Sequence, residues 1–183
     1  MVLNKAIFLD RDGVVNKPLF KKNRKNHPFA PNRVEDFILY HDVIKFVKKI
    51  QSKYKYKVFI ITNQPDLSRG DLSINILNEM HKKLYDNLKY DGIEFCGHLS
   101  IDNCKCRKPE PGMIKKIEKK NNIDLKKSFF IGDTWRDIFC GMSAGIRTYL
   151  INRHYNKDFY CDSRISKLND LTKIIFDLEK SNG

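Results

Sequence analysis

Two carboxylates one residue apart, Asp10 and Asp12, close an apolar run in the segment Phe8-Leu9-Asp10-Arg11-Asp12-Gly13-Val14-Val15-Asn16. Such a pair suits chemistry on phosphorus, because one carboxylate can attack while its neighbour trades a proton with the leaving and entering oxygens. Lys5 to Leu9 reads as a short buried strand, and Gly13 permits a sharp exit from it, which puts both aspartates at the strand's carboxyl end. In parallel α/β sheets that edge is where ligands bind. Taken alone, the pair is equally well a strand-to-turn junction with solvated aspartates. A second chemical unit follows at Cys96-Gly97-His98-Leu99-Ser100-Ile101-Asp102-Asn103-Cys104-Lys105-Cys106, where three thiolates and an imidazole stand at C-x-H-x5-C-x-C spacing. Four soft ligands, Cys96, His98, Cys104 and Cys106, describe a closed structural zinc site. Cys106 directly precedes Arg107 and Lys108, so fixing the last ligand also fixes the loop that presents these two cations.

The elements that must position these groups alternate in type. Val43, Phe46, Val47 and Ile50 recur at helical spacing, and Val58 to Ile61 form a second buried strand closed by Thr62-Asn63-Gln64-Pro65. Ser73 can cap a helix carrying Leu77, Met80, Leu84 and Leu88, and Pro109 and Pro111 can start one bearing Met113, Ile114 and Ile117. Ser128 to Ile131 then read as a strand entering Gly132-Asp133, Trp135 to Ala144 as a helix, Arg147 to Ile151 as a strand, and Leu168, Leu171, Ile175 and Leu178 mark a last helix. This βα repetition predicts an α/β fold with a doubly wound parallel sheet. Residues 17–36, with Pro18, Pro28, Pro31 and the basic group Lys21, Lys22, Arg24 and Lys25, are too irregular for an element and read as a loop or flap. Trp135 is expected to pack at its helix start, and His27, His41, His81 and His154 are assigned to surface or capping roles.

A chain of 183 residues, 41% hydrophobic, predicts one domain over 1–183. No run approaches the roughly 18 apolar residues of a membrane span, and no signal-peptide core precedes the first strand, so a cytoplasmic protein without a membrane partner is expected. The formal charge of +13 invites a nucleic-acid reading. It is dispersed over helix faces, among them Lys45, Lys48, Lys49 and Lys53 and then Lys115, Lys116, Lys119 and Lys120, with no aromatic-interleaved basic stripe. No nucleic-acid partner is therefore expected, while a positive surface would draw in small anions.

The ordered set Asp10/Asp12, Thr62, Lys108 and Asp133 resembles the four motifs of the haloacid dehalogenase superfamily of phosphatases, matched across nearly the whole chain. The resemblance implies that superfamily's Rossmann-like fold, here without a separate cap domain because no large insertion parts the motifs. It implies Asp10 as the nucleophile that forms an aspartyl-phosphate and Asp12 as general acid/base, with Thr62 and Lys108 on the phosphoryl oxygens. It implies Mg²⁺ held by Asp10, Asp133 and the backbone carbonyl of Asp12, with Asp137 orienting from behind. Arg11, Asn63, Gln64, Arg69 and Arg107 are assigned to phosphate or substrate binding on the same ground. The zinc loop running into CRKPEPGM narrows the resemblance to the heptose-bisphosphate phosphatase and histidinol-phosphatase group. The Arg69-Gly70 pair and the GDTWRDI-x4-SAG-x-RT pattern resemble the heptose-bisphosphate branch, which serves nucleotide-heptose and surface-polysaccharide biosynthesis. Val14 and Thr134 depart from residues common in the group, and the zinc loop is short, as in the histidinol type. The expected substrate is a small sugar phosphate, with histidinol phosphate as the alternative and a non-catalytic, zinc-stabilised nucleic-acid binder as the rival from another class. A monomer is expected.

Overall fold

The computed structural model describes residues 3–21 and 24–181, with side chains placed for all of these except 21–26 and 181. In chain order the elements are β1 (Ala6–Asp10), β2 (Leu19–Lys21), β3 (Arg24–Phe29), α1 (His41–Tyr54), β4 (Lys57–Asn63), α2 (Asp66–Arg69), α3 (Ile74–Leu88), β5 (Gly92–Cys96), α4 (Gly112–Asn121), β6 (Phe129–Gly132), α5 (Trp135–Ala144), β7 (Arg147–Ile151), β8 (Arg164–Ile165) and α6 (Leu168–Ser181). The main sheet has six strands in the order β5-β4-β1-β6-β7-β8, and every neighbouring pair is parallel. β1 sits inside the sheet, with Leu9 opposite Ile60 on one side and Ile131 on the other.

The period-two alternation of β1 assigns its side chains to two cores. Ile7 and Leu9 join Val58, Ile60 and Ile131 under α1, α3 and α6, whereas Ala6 and Phe8 join Phe59, Ile61 and Phe130 under α4 and α5. Burial on both faces explains why these strands are continuous apolar runs, and it makes the sheet doubly wound, as the sequence predicts. Ser73 caps α3 by accepting from the Ile76 N–H at 3.2 Å.

Three features differ from the sequence expectations. The stretch 17–36 is not a plain loop: β2 and β3 pair antiparallel as a hairpin standing apart from the main sheet. Its strands are short and carry no apolar alternation, which hid them. Lys22 of its basic group lies outside the described residues, as do the side chains of Lys21, Arg24 and Lys25. Trp135 is half-exposed, its ring against Phe139 and the Arg136 guanidinium. His81 is buried on α3. Among the described residues no helix is long and apolar enough to cross a membrane.

Candidate active site

The parallel register delivers the predicted residues to one edge. Asp10 ends β1, Thr62 and Asn63 end β4, and Asp133 follows β6, so three adjacent strands present their carboxyl ends together. Lys108 reaches them from the loop between β5 and α4. Its Nζ donates to Asp10 Oδ1 and to Asp137 Oδ1, each at 2.6 Å, and all three side chains are buried. Asn63 clasps the backbone of Lys108 from both sides, donating from Nδ2 to its carbonyl and accepting its N–H at Oδ1, each at 3.0 Å. Asp137 Oδ2 meanwhile accepts from the Thr134 N–H at 2.9 Å and from its hydroxyl at 2.7 Å, closing the first turn of α5.

The charge balance of this cluster is the informative quantity. Asp10, Asp133 and Asp137 bring carboxylate oxygens within 4.8 Å of one another, against the single Lys108 ammonium. Burial and the neighbouring Asp137 push the Asp133 carboxyl up to about 7. Burial likewise raises Asp10, with Lys108 opposing it. Lys108 keeps its proton: burial disfavours its charge, but Asp10 and Asp137 outweigh that and hold its pKa above the usual lysine range. Asp133 Oδ1 is buried and has no hydrogen-bond partner among the described residues. A surplus of negative charge and an orphaned carboxylate oxygen, all hard oxygen donors, fit a small divalent cation.

Asp12 is held differently. Arg11 donates to it from Nε and Nη2, Asn16 from Nδ2 at 3.0 Å, Gln64 from Nε2 at 2.8 Å and Thr62 from its hydroxyl at 3.3 Å. Arg11 itself is fully buried, with Nη1 against His81 Nε2 at 3.3 Å and its guanidinium over the Phe37 ring. Two expectations therefore need correcting. The Arg11 and Gln64 side chains do not line the cleft and cannot contact substrate there; they brace Asp12 from behind. The reason is alternation: Asp10 faces Lys108, so Arg11 turns to the α1/α3 side.

The cleft has a volume of about 250 Å³ and is lined by Asp10, Asp12, Thr62, Asn63, Lys108 and Asp133, with Arg69, Arg107 and Arg136 at its mouth. Pro18, Pro28 and Phe29 of the hairpin region line it as well. Arg69 is also paired with Asp66 at 2.7 Å, and Arg107 donates to the His98 carbonyl at 3.0 Å. The sequence reading missed Arg136, although it lies inside the quoted GDTWRDI pattern. It also missed Tyr155, whose hydroxyl donates to Asp133 Oδ2 and which no local signature announces.

Behind Lys108, the predicted soft-ligand group assembles. Cys106 Sγ lies 3.3 Å from Cys96 Sγ, 3.5 Å from Cys104 Sγ and 3.3 Å from His98 Nδ1, and Cys96 Sγ lies 3.6 Å from Cys104 Sγ and 3.5 Å from His98 Nδ1. No disulfide joins these thiols. Zinc–sulfur bonds of about 2.3 Å imply ligand separations of roughly 3.7 Å around a tetrahedron, close to those found.

Fold and cleft together define a phosphatase of the haloacid dehalogenase type. The model of the polynucleotide kinase 3 phosphatase family matches residues 8–171. The D-glycero-beta-D-manno-heptose-1,7-bisphosphate 7-phosphatase of Helicobacter pylori is 34% identical over 157 residues, covering 82% of this chain and 85% of that one. The D-glycero-alpha-D-manno-heptose-1,7-bisphosphate 7-phosphatase of Photorhabdus laumondii is 37% identical over 161 residues, covering 80% of this chain and 82% of that one. Among solved structures, the D,D-heptose 1,7-bisphosphate phosphatase of B. bronchiseptica complexed with magnesium and phosphate superposes with a TM-score of 0.80 at 25% identity, covering 94% of this chain and 98% of that one. The chain belongs to the polynucleotide kinase 3 phosphatase family and, within it, groups with the heptose-1,7-bisphosphate 7-phosphatases.

Proposed function

We propose that this protein is a Mg²⁺-dependent phosphatase that removes the 7-phosphate of D-glycero-D-manno-heptose 1,7-bisphosphate. The observation that carries the chemistry is Asp10 at the end of β1, ion-paired to Lys108 in a cluster with one cation for three carboxylates. The substrate rests on the relatives, whose names span both anomers.

In this reading Asp10 attacks phosphorus: a bond forms from its carboxylate oxygen, the bond from phosphorus to the sugar oxygen breaks, and Asp12 gives that oxygen a proton. Asp12 then takes a proton from water as the water oxygen bonds to phosphorus and the Asp10 ester breaks. Lys108 neutralises charge on Asp10 and on the phosphoryl oxygens in a dry site, where such a contact is worth far more than in water. Mg²⁺, held by Asp10, Asp133 and the Asp12 carbonyl, would supply electrostatic stabilisation of the phosphoryl oxygens. Zinc on Cys96, His98, Cys104 and Cys106 would stiffen the loop that carries Arg107 and Lys108 without entering the reaction. Arg69, Arg107 and Arg136 are placed to meet the rest of an anionic substrate, and the hairpin does the enclosing work of a cap.

Phosphate release measured side by side from both heptose 1,7-bisphosphate anomers, histidinol phosphate and a 3′-phosphorylated oligonucleotide tests the assignment. The expected result is a kcat/KM for one heptose anomer at least tenfold above every other compound. Preference for histidinol phosphate or the oligonucleotide would overturn the substrate but keep the chemistry.

A further inference from the structure

Beyond the cleft, the segment after β7 is tied to it by a chain of contacts that the proposed reaction does not use. Asn156, buried, donates from Nδ2 to the Asp133 carbonyl at 2.8 Å and to the Ile151 carbonyl at 2.9 Å, which locks residues 151–156 against the end of β6. Arg153 Nε donates to the Gly13 carbonyl at 2.7 Å, anchoring the same segment to the turn after Asp12. Between these anchors the Tyr155 hydroxyl donates to Asp133 Oδ2. The space is closed: a Cβ added to Gly13 would lie 2.0 Å from Asp133 Oδ2 and 2.6 Å from the Tyr155 oxygen. Gly13 also has φ of +103°, a region that side chains resist, so sterics and backbone together reserve that position for glycine.

The two oxygens of Asp133 therefore differ. Oδ2 is occupied by Tyr155, whereas Oδ1 is buried and without a partner among the described residues. A carboxylate with one oxygen pinned presents the other in a fixed direction, the usual way an outer hydrogen bond orients a metal ligand. The far side of Tyr155 faces the hairpin: the Phe20 ring packs on Tyr155 with centroids 5.5 Å apart and on His154 at 5.0 Å. The hairpin that lines the cleft thus touches the residue that holds the ligand.

We infer that Tyr155 is a positioning residue that fixes which Asp133 oxygen meets the divalent cation, and that Phe20 couples the hairpin to the same oxygen. This rests on the Mg²⁺ reading above. Packing of the hairpin residue Phe20 and cation affinity then share one contact chain, Phe20 to Tyr155 to Asp133.

Titration of the full-length, substrate-free protein with Mg²⁺ by calorimetry tests this, with metal-free melting temperature recorded to separate loss of fold. Tyr155→Phe keeps the ring and removes the donor; its Mg²⁺ dissociation constant should rise about tenfold. Phe20→Leu should raise it about two- to threefold, and the two changes combined should give no more than Tyr155→Phe alone, since both act through one bond. Wild-type binding with an unchanged constant in Tyr155→Phe overturns the inference while leaving the Mg²⁺ reading intact. An unchanged constant in Phe20→Leu overturns the coupling, and absence of Mg²⁺ binding by the wild type overturns the metal reading with everything built on it.

Discussion

Two polar clusters meet at Lys108, and they are built in opposite ways. The carboxylate site is made of residues far apart in sequence, Asp10 and Lys108 being 98 residues apart, and every member is buried, Asp10 and Asp133 at the ends of sheet strands, Lys108 on a loop and Asp137 on α5. The thiol site is made within eleven consecutive residues, 96–106; Cys96 is buried, Cys104 and Cys106 are half-buried, and His98 is exposed. The first draws its geometry from the sheet and holds an excess of carboxylates over cations that suits a divalent ion. The second has little packing to define it and needs its own bonds to hold a shape. The carboxylate site is thus carried largely by rigid elements, and the loop that presents Lys108 to it carries the thiol group.

Asp10→Asn is the sharpest way to break this division. Turnover should fall about 10⁴-fold or more, while zinc content and melting temperature stay at wild-type values. A variant that keeps wild-type turnover would mean the sheet-borne site is not the reacting one. Removing zinc, by a chelator or by Cys104→Ser, should lower kcat/KM by roughly 10–100-fold without loss of sheet signal in circular dichroism. Full activity in zinc-depleted protein would uncouple the two clusters. Asn63→Ala removes the two-sided clasp on the Lys108 backbone; at about 1 kcal/mol for each of its two hydrogen bonds, kcat/KM should drop roughly thirtyfold, with Mg²⁺ binding little changed. An effect below twofold would assign the positioning of Lys108 to the zinc loop alone.

The smallest effect on activity, none at neutral pH, is expected behind Asp12. Burial and the Arg11 cation push His81 down to about 4. The unfolded chain therefore takes up this proton first as pH falls, so the stability His81 contributes is complete above its ordinary value of 6.5 and lost between 6.5 and 4. Lowering the pH from 7 to 5 should cost about 2 kcal/mol through this group, and His81→Gln should flatten that slope in urea melts. An identical slope in the variant would show that the buried Arg11 pairs with Asp12 without help from a neutral imidazole.

Much of this was readable in the chain because it is written in periodicity. Trp135 to Ala144 and Arg147 to Ile151 coincide with α5 and β7, and Asp10, Thr62 and Asp133 stand where apolar runs end. The gathering of Cys96, His98, Cys104 and Cys106 was readable from spacing alone, since the four residues are local. What escaped has a common cause. β5 has a half-buried pattern with Glu94 inside it, and β8 spans only Arg164–Ile165, so neither makes an apolar run. Arg11 and Gln64 were sent to the substrate by motif membership, whereas alternation turns the Arg11 side chain away from it and hydrogen bonds to Asp12 and Thr62 hold that of Gln64. Tyr155 and Asn156 act on Asp133 from more than twenty residues downstream, a distance across which a single sequence gives no sign of contact.

The place of β1 inside the sheet has a consequence for how the molecule comes into being. A chain made from its amino end exposes Asp10 early, yet β1 gains its second parallel neighbour only when residues 129–132 are available, and Asp133 its tyrosine later still. Throughout that interval an apolar strand with an open edge waits for a partner from its own chain, the condition under which strands find partners on other chains instead. The carboxylate cluster that Asp10 opens is therefore complete only once residues 133–137 have been made, and until residues 129–132 are available β1 lacks the neighbour that covers its second edge.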